Sequence, residues 1–241
     1  MKIFAIGDLH LSFDKRVEKP MDIFGEQWAG HAERLKENWL KTVSEDDTVI
    51  ICGDISWGLR LEEAEADFEW IRALPGKKLL FKGNHDLWWP SAAKLNKLYG
   101  DEKLIFVQNG AVLVGGAAGS GKKIAVCGSR GWICPGSDGF TEEDERIYRR
   151  ELLRLEMSLK EGEALMADEI VAALHFPPTN DKHQASEFTR LLSRYGVKVC
   201  VYGHLHGGDA FKNGPKGIFN GVRYELVSLD YLEASPKEVT I

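Results

Sequence analysis

The sequence predicts an α/β fold built on mostly parallel strands. Two observations carry this. Short apolar runs alternate with helical stretches along the amino-terminal part, and most of these runs stop at a glycine followed by Asp, Asn or His. Open α/β sheets hold their ligands where strands end, so the same observations locate a candidate site.

The elements follow in order. Lys2–Ile6 reads as a buried strand ending in Gly7-Asp8-Leu9-His10. Trp28, Ala32, Leu35 and Trp39 recur at helical spacing and predict one helix. Thr48–Cys52 is the next strand, leading into Gly53-Asp54-Ile55-Ser56-Trp57. Leu61–Leu74 is helical by period and stops at Pro75-Gly76. Lys78–Lys82 is a strand that opens into Gly83-Asn84-His85-Asp86, and Pro90 starts a helix running to about Tyr99. Leu104–Val107, Ala111–Val114 and Ile124–Cys127 are short and close together, which predicts antiparallel hairpins. Thr141 and Asp144 form a capping-box pattern before the longest helix, with Tyr148, Leu152, Leu155 and Leu159 on its apolar face. Glu169–Leu174 ends in His175, Ala185–Tyr195 is helical, and Val197–Tyr202 ends in Gly203-His204-Leu205-His206. Phe219–Val222 and Tyr224–Leu229 read as a closing hairpin around Asn220-Gly221. No repeat, low-complexity stretch or interdomain linker interrupts the chain, so residues 1–241 read as a single domain.

Composition narrows the function. The 241 residues are 44% hydrophobic and carry a net charge of −6, enough for one full core. That charge argues against broad coating of nucleic acid or of an anionic membrane. The first apolar run is too short for a signal segment, and no run reaches the length of a membrane helix. Cys52, Cys127, Cys134 and Cys200 are scattered without a C-x-x-C pair, and read as reduced core thiols in a cytoplasmic protein.

Of the seven histidines, five stand at strand exits; His31 and His183 fall in predicted helices or their approaches. The exits together supply Asp8, His10, Asp54, Asn84, His175, His204 and His206. Imidazole mixed with carboxylate suits divalent Mn, Fe, Ni or Zn, whereas Mg and Ca prefer all-oxygen shells. Seven ligands exceed one centre and suit two ions sharing a bridge, for which Asp54, the lone acid of its loop, is the candidate. In D-x-H and H-x-H, alternate residues of an extended segment would face one site. Two ions about 3.5–4 Å apart clamp a phosphoryl group in line.

Gly7-Asp8-Leu9-His10, Gly53-Asp54, Gly83-Asn84-His85-Asp86, His175 and Gly203-His204-Leu205-His206 resemble the five ordered motifs of the calcineurin-like metallophosphoesterases. The resemblance implies a four-layer α/β/β/α sandwich of two mixed sheets flanked by helices. It also implies a first ion held by Asp8, His10, Asp54 and His206, and a second by Asp54, Asn84, His175 and His204. The ions would be manganese first, with Fe, Zn or Ni as alternatives. His85 would assist at the phosphate, Asp86 would orient the His85 imidazole, and a bridging water would attack phosphorus. The implied substrate is a small phosphomonoester or phosphodiester.

Other readings stand beside these. Trp57, Trp88, Trp89 and Trp132 are core residues by default and substrate-mouth candidates by position, with Trp57 and Trp132 the foremost. Arg130 is a candidate phosphate clamp. Arg146, Arg149, Arg150 and Arg154 read as a solvated helix face. A nuclease would need a basic groove that a net charge of −6 supports poorly, and a protein-binding scaffold with dead sites would lack ligands. Gly116 to Lys123 nearly spells a P-loop, but Lys123 replaces the required hydroxyl and a strand follows where a helix is needed.

Overall fold

The computed structural model describes residues 1–116 and 121–241. Its elements in chain order are β1 (Ile3–Ile6), α1 (His31–Thr42), β2 (Thr48–Ile51), α2 (Glu65–Ala73), β3 (Lys77–Leu80), α3 (Ala92–Leu98) and β4 (Leu104–Phe106). There follow β5 (Ala111–Gly115), β6 (Lys123–Ser129), α4 (Glu142–Ala164), β7 (Glu169–Leu174), α5 (Glu187–Arg194), β8 (Val199–Tyr202), β9 (Gly217–Phe219), β10 (Val222–Leu226) and β11 (Lys237–Glu238).

Two mixed sheets form. The first has the order β11-β1-β2-β3-β4 and the second β5-β6-β7-β8-β10-β9. Strands β1 to β4 pair in parallel, with β11 antiparallel at the edge. In the second sheet β6, β7, β8 and β10 are parallel, flanked by antiparallel β5 and β9.

Side-chain alternation along the strands builds the layers. In β1, Phe4 and Ile6 face α1, α2 and α3, where they meet Leu35, Trp39, Phe68, Ile71 and Leu95. Ile3 and Ala5 turn the other way and pack on Val126, Val171, Ala173 and Val201 of the second sheet. Beyond that sheet, Ala172 and Leu174 of β7 pack on Leu155 and Leu159 of α4 and Phe188 and Leu192 of α5. Strands buried on both faces explain their continuous apolar runs. The result is the expected α/β/β/α sandwich.

Helix α4 begins at the predicted capping box. Thr141 Oγ1 accepts the Asp144 N–H at 3.2 Å, and the Asp144 carboxylate accepts the Thr141 N–H at 2.9 Å. Four acids in its first turn complement the helix dipole. Asn220 and Gly221, both at positive φ, make the predicted turn between β9 and β10.

Three expectations are corrected. The Leu104 strand joins the first sheet in parallel and only β5 and β6 form a hairpin, because the β4 residues bury against α3 and β3. The helix expected from Trp28 starts only at His31, leaving Trp28 in a preceding 3₁₀ turn, Glu26–Trp28. The Leu61 helix is split likewise, a 3₁₀ turn over Leu61–Glu63 preceding α2. The glycine-rich stretch after β5 lies partly outside the described residues. The strand β6 follows it, and the Lys122 ammonium pairs with Glu169 at 3.1 Å.

Two buried polar groups hold elements together. Ser158 of α4 accepts the Gly128 N–H at 2.8 Å and donates to the Gly110 carbonyl at 2.6 Å. Ser158→Ala strands both partners, and denaturant unfolding should show a loss of about 1–3 kcal/mol. Asp67 of α2 accepts the Phe13 N–H at 2.8 Å and the Ser56 hydroxyl, and burial pushes its carboxyl up to about 6. The folded chain therefore holds a proton that the unfolded chain, with an Asp value of about 3.9, releases. This contribution is full below about pH 4 and is lost as pH rises to about 6. Asp67→Asn should flatten that part of the stability profile.

Candidate metal centre

The strand exits of the two sheets are stitched together. Gly7 N–H donates to the Val227 carbonyl at 2.7 Å, and Leu229 N–H to the Gly7 carbonyl at 3.1 Å. Within the first sheet the exits continue side by side, with Asp8 N–H on the Gly53 carbonyl and His10 N–H on the Asp54 carbonyl. Asp8, His10, Asp54 and His204 all adopt positive φ, at 60°, 46°, 50° and 74°. The pairs expected to converge by extended alternation thus converge through left-handed turns. Such conformations cost free energy in non-glycine residues and cluster at functional sites.

Close approach leaves no room for side chains at two motif glycines. A Cβ on Gly83 would stand 2.1 Å from Asp54 Oδ1, and one on Gly203 would stand 2.4 Å from Asp8 Oδ2. The glycines in front of Asn84 and His204 are there to let the carboxylates in.

The donor atoms face one another. His175 Nδ1 lies 2.9 Å from the Cys52 carbonyl, which only accepts, so that nitrogen carries the ring proton. His175 Nε2 therefore presents a lone pair, and it faces Asn84 Oδ1 at 2.7 Å, His204 Nδ1 at 3.2 Å and Asp54 Oδ2 at 3.4 Å. Asp54 Oδ2 also lies 3.9 Å from His10 Nε2, while Asp54 Oδ1 accepts the His85 N–H at 2.8 Å. One carboxylate oxygen thus looks towards a histidine of each expected ligand set. On the other side His206 Nε2 stands 3.5 Å from Asp8 Oδ1 and, like His10 Nδ1, has no hydrogen-bond partner among the described residues. Asp8, His10 and His206 form one group able to hold an ion, and Asp8, Asp54 and His175 another.

Electrostatics agree with a cation. Burial and the charge of Asp8 push Asp54 up to about 8, since two buried carboxylates resist ionising together. Burial opposes protonation of His206, but Asp8 and its bond to Asp230 carry it up to about 10. Burial and then His175 hold His204 down to about 3. A divalent ion would let both carboxylates ionise and the imidazoles coordinate as neutral ligands. The residues fit the group.

The centre opens into a cavity of about 350 Å³. It is lined by His10, Asp54, His85, His204 and His206, and by the apolar side chains of Met21, Phe24, Trp28 and Trp57.

Residues 1–208 match the family described as calcineurin-like phosphoesterase. The chain belongs to that family. Among curated relatives, the Gene 66 proteins of Mycobacterium phages D29 and L5 are 35% and 34% identical over 102 and 100 residues. Those matches take in 40% and 42% of this chain and 48% and 47% of the relatives, so the chain spans about half the length of the curated relatives it matches. Among solved structures, the protein TT1561 of Thermus thermophilus superposes with a TM-score of 0.57 at 14% identity, covering 99% of this chain and 97% of that one. A protein of unknown function from Aquifex aeolicus, AQ665, gives 0.50 at 18% identity, covering 98% and 95%. These two share the fold.

All seven expected metal ligands of this calcineurin-like phosphoesterase lie at the exits, and His85 is exposed to the cavity. Asp86 departs from its expected role. Among the described residues it makes no hydrogen bond to the His85 ring; its buried carboxylate accepts the N–H groups of Gly83, Asp54, Ile55 and Ser56 at 2.7, 3.0, 2.8 and 3.3 Å. The turn that aims Asp54 points these amides inward, and Asp86 satisfies them. Arg130 and Trp132 are also corrected, since neither lines the cavity. The Arg130 guanidinium lies 4.4 Å from the Trp132 ring centroid and 3.5 Å from Glu151, and the Trp132 indole donates to Asp144. Both anchor α4. Arg150 and Arg154 likewise lean on Glu151, a buried carboxylate, whereas Arg146 and Arg149 are solvated as expected. Trp88 and Trp89 are core; Trp57 lines the cavity and stacks on His10 with centroids 4.7 Å apart.

One residue escaped the motif reading. Asp230 accepts from His206 Nδ1 at 2.9 Å and from the Gly207 N–H at 3.0 Å, and so turns Nε2 of the ring towards Asp8. It lies beyond the matched residues 1–208. The signal for it was an acid directly after the apolar run Tyr224–Leu229, another strand exit. Carboxylates behind metal-ligating histidines set ring orientation and basicity. Asp230→Ala should weaken manganese binding by roughly 10–100-fold in chelator competition, with the fold intact by circular dichroism.

Proposed function

We propose that the chain hydrolyses phosphate esters with two divalent ions that share Asp54. The first set is Asp8, His10, Asp54 and His206, and the second is Asp54, Asn84, His175 and His204. The observation that supports this most is the convergence of His175 Nε2 on Asn84 Oδ1 at 2.7 Å and Asp54 Oδ2 at 3.4 Å while the Cys52 carbonyl engages Nδ1. The mixed imidazole, carboxylate and amide donors favour manganese, with Fe, Zn or Ni as alternatives. Four buried free cysteines suit a reducing compartment such as the cytoplasm. No helix among the described residues is long and apolar enough to cross a membrane.

Bound ions of this kind supply Lewis acidity to the phosphoryl oxygens and lower the pKa of water. The protein's own groups do the rest. Asp8 and Asp54, buried and fixed by backbone N–H groups of His204 and His85, place the charge beneath the phosphate. His85, whose ring packs 4.6 Å from Trp57, is free to donate to a phosphate oxygen and to hand a proton to the leaving oxygen. A water oxygen bonds to phosphorus, the ester P–O bond opposite it breaks, and one water proton ends on the departing oxygen. The Trp28 and Trp57 rings around His10 keep water from its far side. The convergence of every donor argues against a scaffold with a dead site.

The test is turnover of nitrophenyl phosphate esters by chelated protein with manganese added back. Wild type should need the metal and bind two ions per chain. Asn84→Ala should lose one ion and its turnover, and His85→Ala should lose roughly 10²–10⁴-fold in kcat with both ions retained. Full activity in His85→Ala, or turnover indifferent to chelation, would contradict the reading.

A further inference from the structure

The wall of the cavity opposite in chemistry to the metal ligands has a composition of its own. It comes from two 3₁₀ turns, Met21–Phe24 and Glu26–Trp28, together with Trp57. Trp28 fixes the segment in place: it is buried, with its ring edge-on to His10 at 5.7 Å and to His206 at 5.3 Å. Trp57 is pinned by stacking on His10 and by its indole N–H on the Met21 sulfur at 3.1 Å. Phe24 is different. Its ring lines the cavity yet remains 57% exposed, and Gln27 Nε2 donates to the Phe24 carbonyl at 3.0 Å, leaving Gln27 Oε1 as an acceptor at the same wall.

The charge inventory is equally specific. Beyond the expected metal ligands and His85, the cavity is lined by Met21, Phe24, Gln27, Trp28, Trp57 and Gly207, and among the described residues no lysine or arginine lines it. Lys19 does not line the cavity; its ammonium stands over Trp57, 5.4 Å from the ring centroid, where its charge reaches His85 from the rim. Arg130, the candidate clamp, is engaged by Glu151 and Trp132. A phosphomonoester brings a dianion with three non-bridging oxygens, whereas a diester brings one charge, two such oxygens and a second organic group. Ions and His85 can serve two oxygens; the remaining wall is apolar and aromatic apart from Gln27, whose Nε2 is engaged by the Phe24 carbonyl, and would desolvate a third charged oxygen with little compensation.

We propose that the cavity takes a phosphodiester monoanion carrying a planar aromatic group of nucleobase size, which seats on Phe24 and Met21 with its polar edge at Gln27. This rests on the phosphoesterase reading and names the substrate class of that site. A cavity of about 350 Å³ suits a nucleotide-sized molecule. An exposed aromatic ring beside a phosphate-binding centre is the arrangement that stacks a base without demanding its identity. Hydrolysis adds water across one P–O ester bond and releases a phosphomonoester and an alcohol, with no other reactant.

The experiment compares three substrates with manganese-loaded protein: thymidine 5′-nitrophenyl phosphate, methyl nitrophenyl phosphate and nitrophenyl phosphate. The expected order in kcat/KM is aromatic diester, methyl diester, monoester, with roughly tenfold between the two diesters. Phe24→Ala should collapse the ratio between the two diesters towards one, and Phe24→Tyr should restore it. A monoester that exceeds both diesters, or a ratio untouched by Phe24→Ala, overturns the inference while leaving the phosphoesterase reading standing. If no ester turns over, the phosphoesterase reading fails, and binding decides the aromatic site by itself through tryptophan fluorescence. Quenching by thymidine 5′-monophosphate at concentrations where inorganic phosphate gives none, weakened roughly tenfold in Phe24→Ala, supports the site. Equal response to both probes overturns it.

Discussion

The hydrogen bond from His175 Nδ1 to the Cys52 carbonyl joins the exit of β7 in one sheet to the exit of β2 in the other. It does two things. It ties the sheets at the end where the donors gather, and it removes the proton from the side of the imidazole that faces Asn84, Asp54 and His204. A neutral ring with its lone pair turned towards two oxygens offers a cation three donors at once. The remainder of the centre repeats this arrangement with Asp230 behind His206.

Holding such a cluster is expensive. Four ligands sit at positive φ, each costing on the order of 1 kcal/mol or more. The offset comes from backbone amides. Asp86 gathers four N–H groups around the turn that carries Asp54, and Asp8 accepts the His204 N–H with both oxygens at 3.0 Å. The strain is bearable because β1, β2 and β3 beneath it are buried on both faces and cannot relax. The geometry of the site and the stability of the chain are therefore linked through residues, such as Asp86, that never reach the cavity.

Much of this was legible in the sequence. Apolar runs ending in Gly-Asp, Gly-Asn and Gly-His fixed the strand exits, and the ligand types fixed the chemistry. Thr141 with Asp144 announced α4, and Asn220-Gly221 announced the last hairpin. What was hidden depends on contacts distant in sequence. Whether Leu104–Phe106 pairs in parallel with β3 or antiparallel with its neighbour is decided by tertiary packing, since the run itself reads the same in both. Arg130 and Trp132 looked like site residues because they follow a strand, yet a buried Glu151 and the start of α4 claim them. Asp86 sits next to His85 in the chain but points into the turn, and Asp230 reaches His206 across 24 residues.

The proposed function turns on two ions that would share Asp54. Electron paramagnetic resonance of the chain loaded with two equivalents of manganese tests it most directly. The arrangement predicts an exchange-coupled spectrum from two ions about 3.5–4 Å apart, which reverts to isolated-ion lines in Asp54→Ala. Isolated-ion lines in the wild-type chain at full loading would contradict a shared carboxylate and with it the dinuclear account.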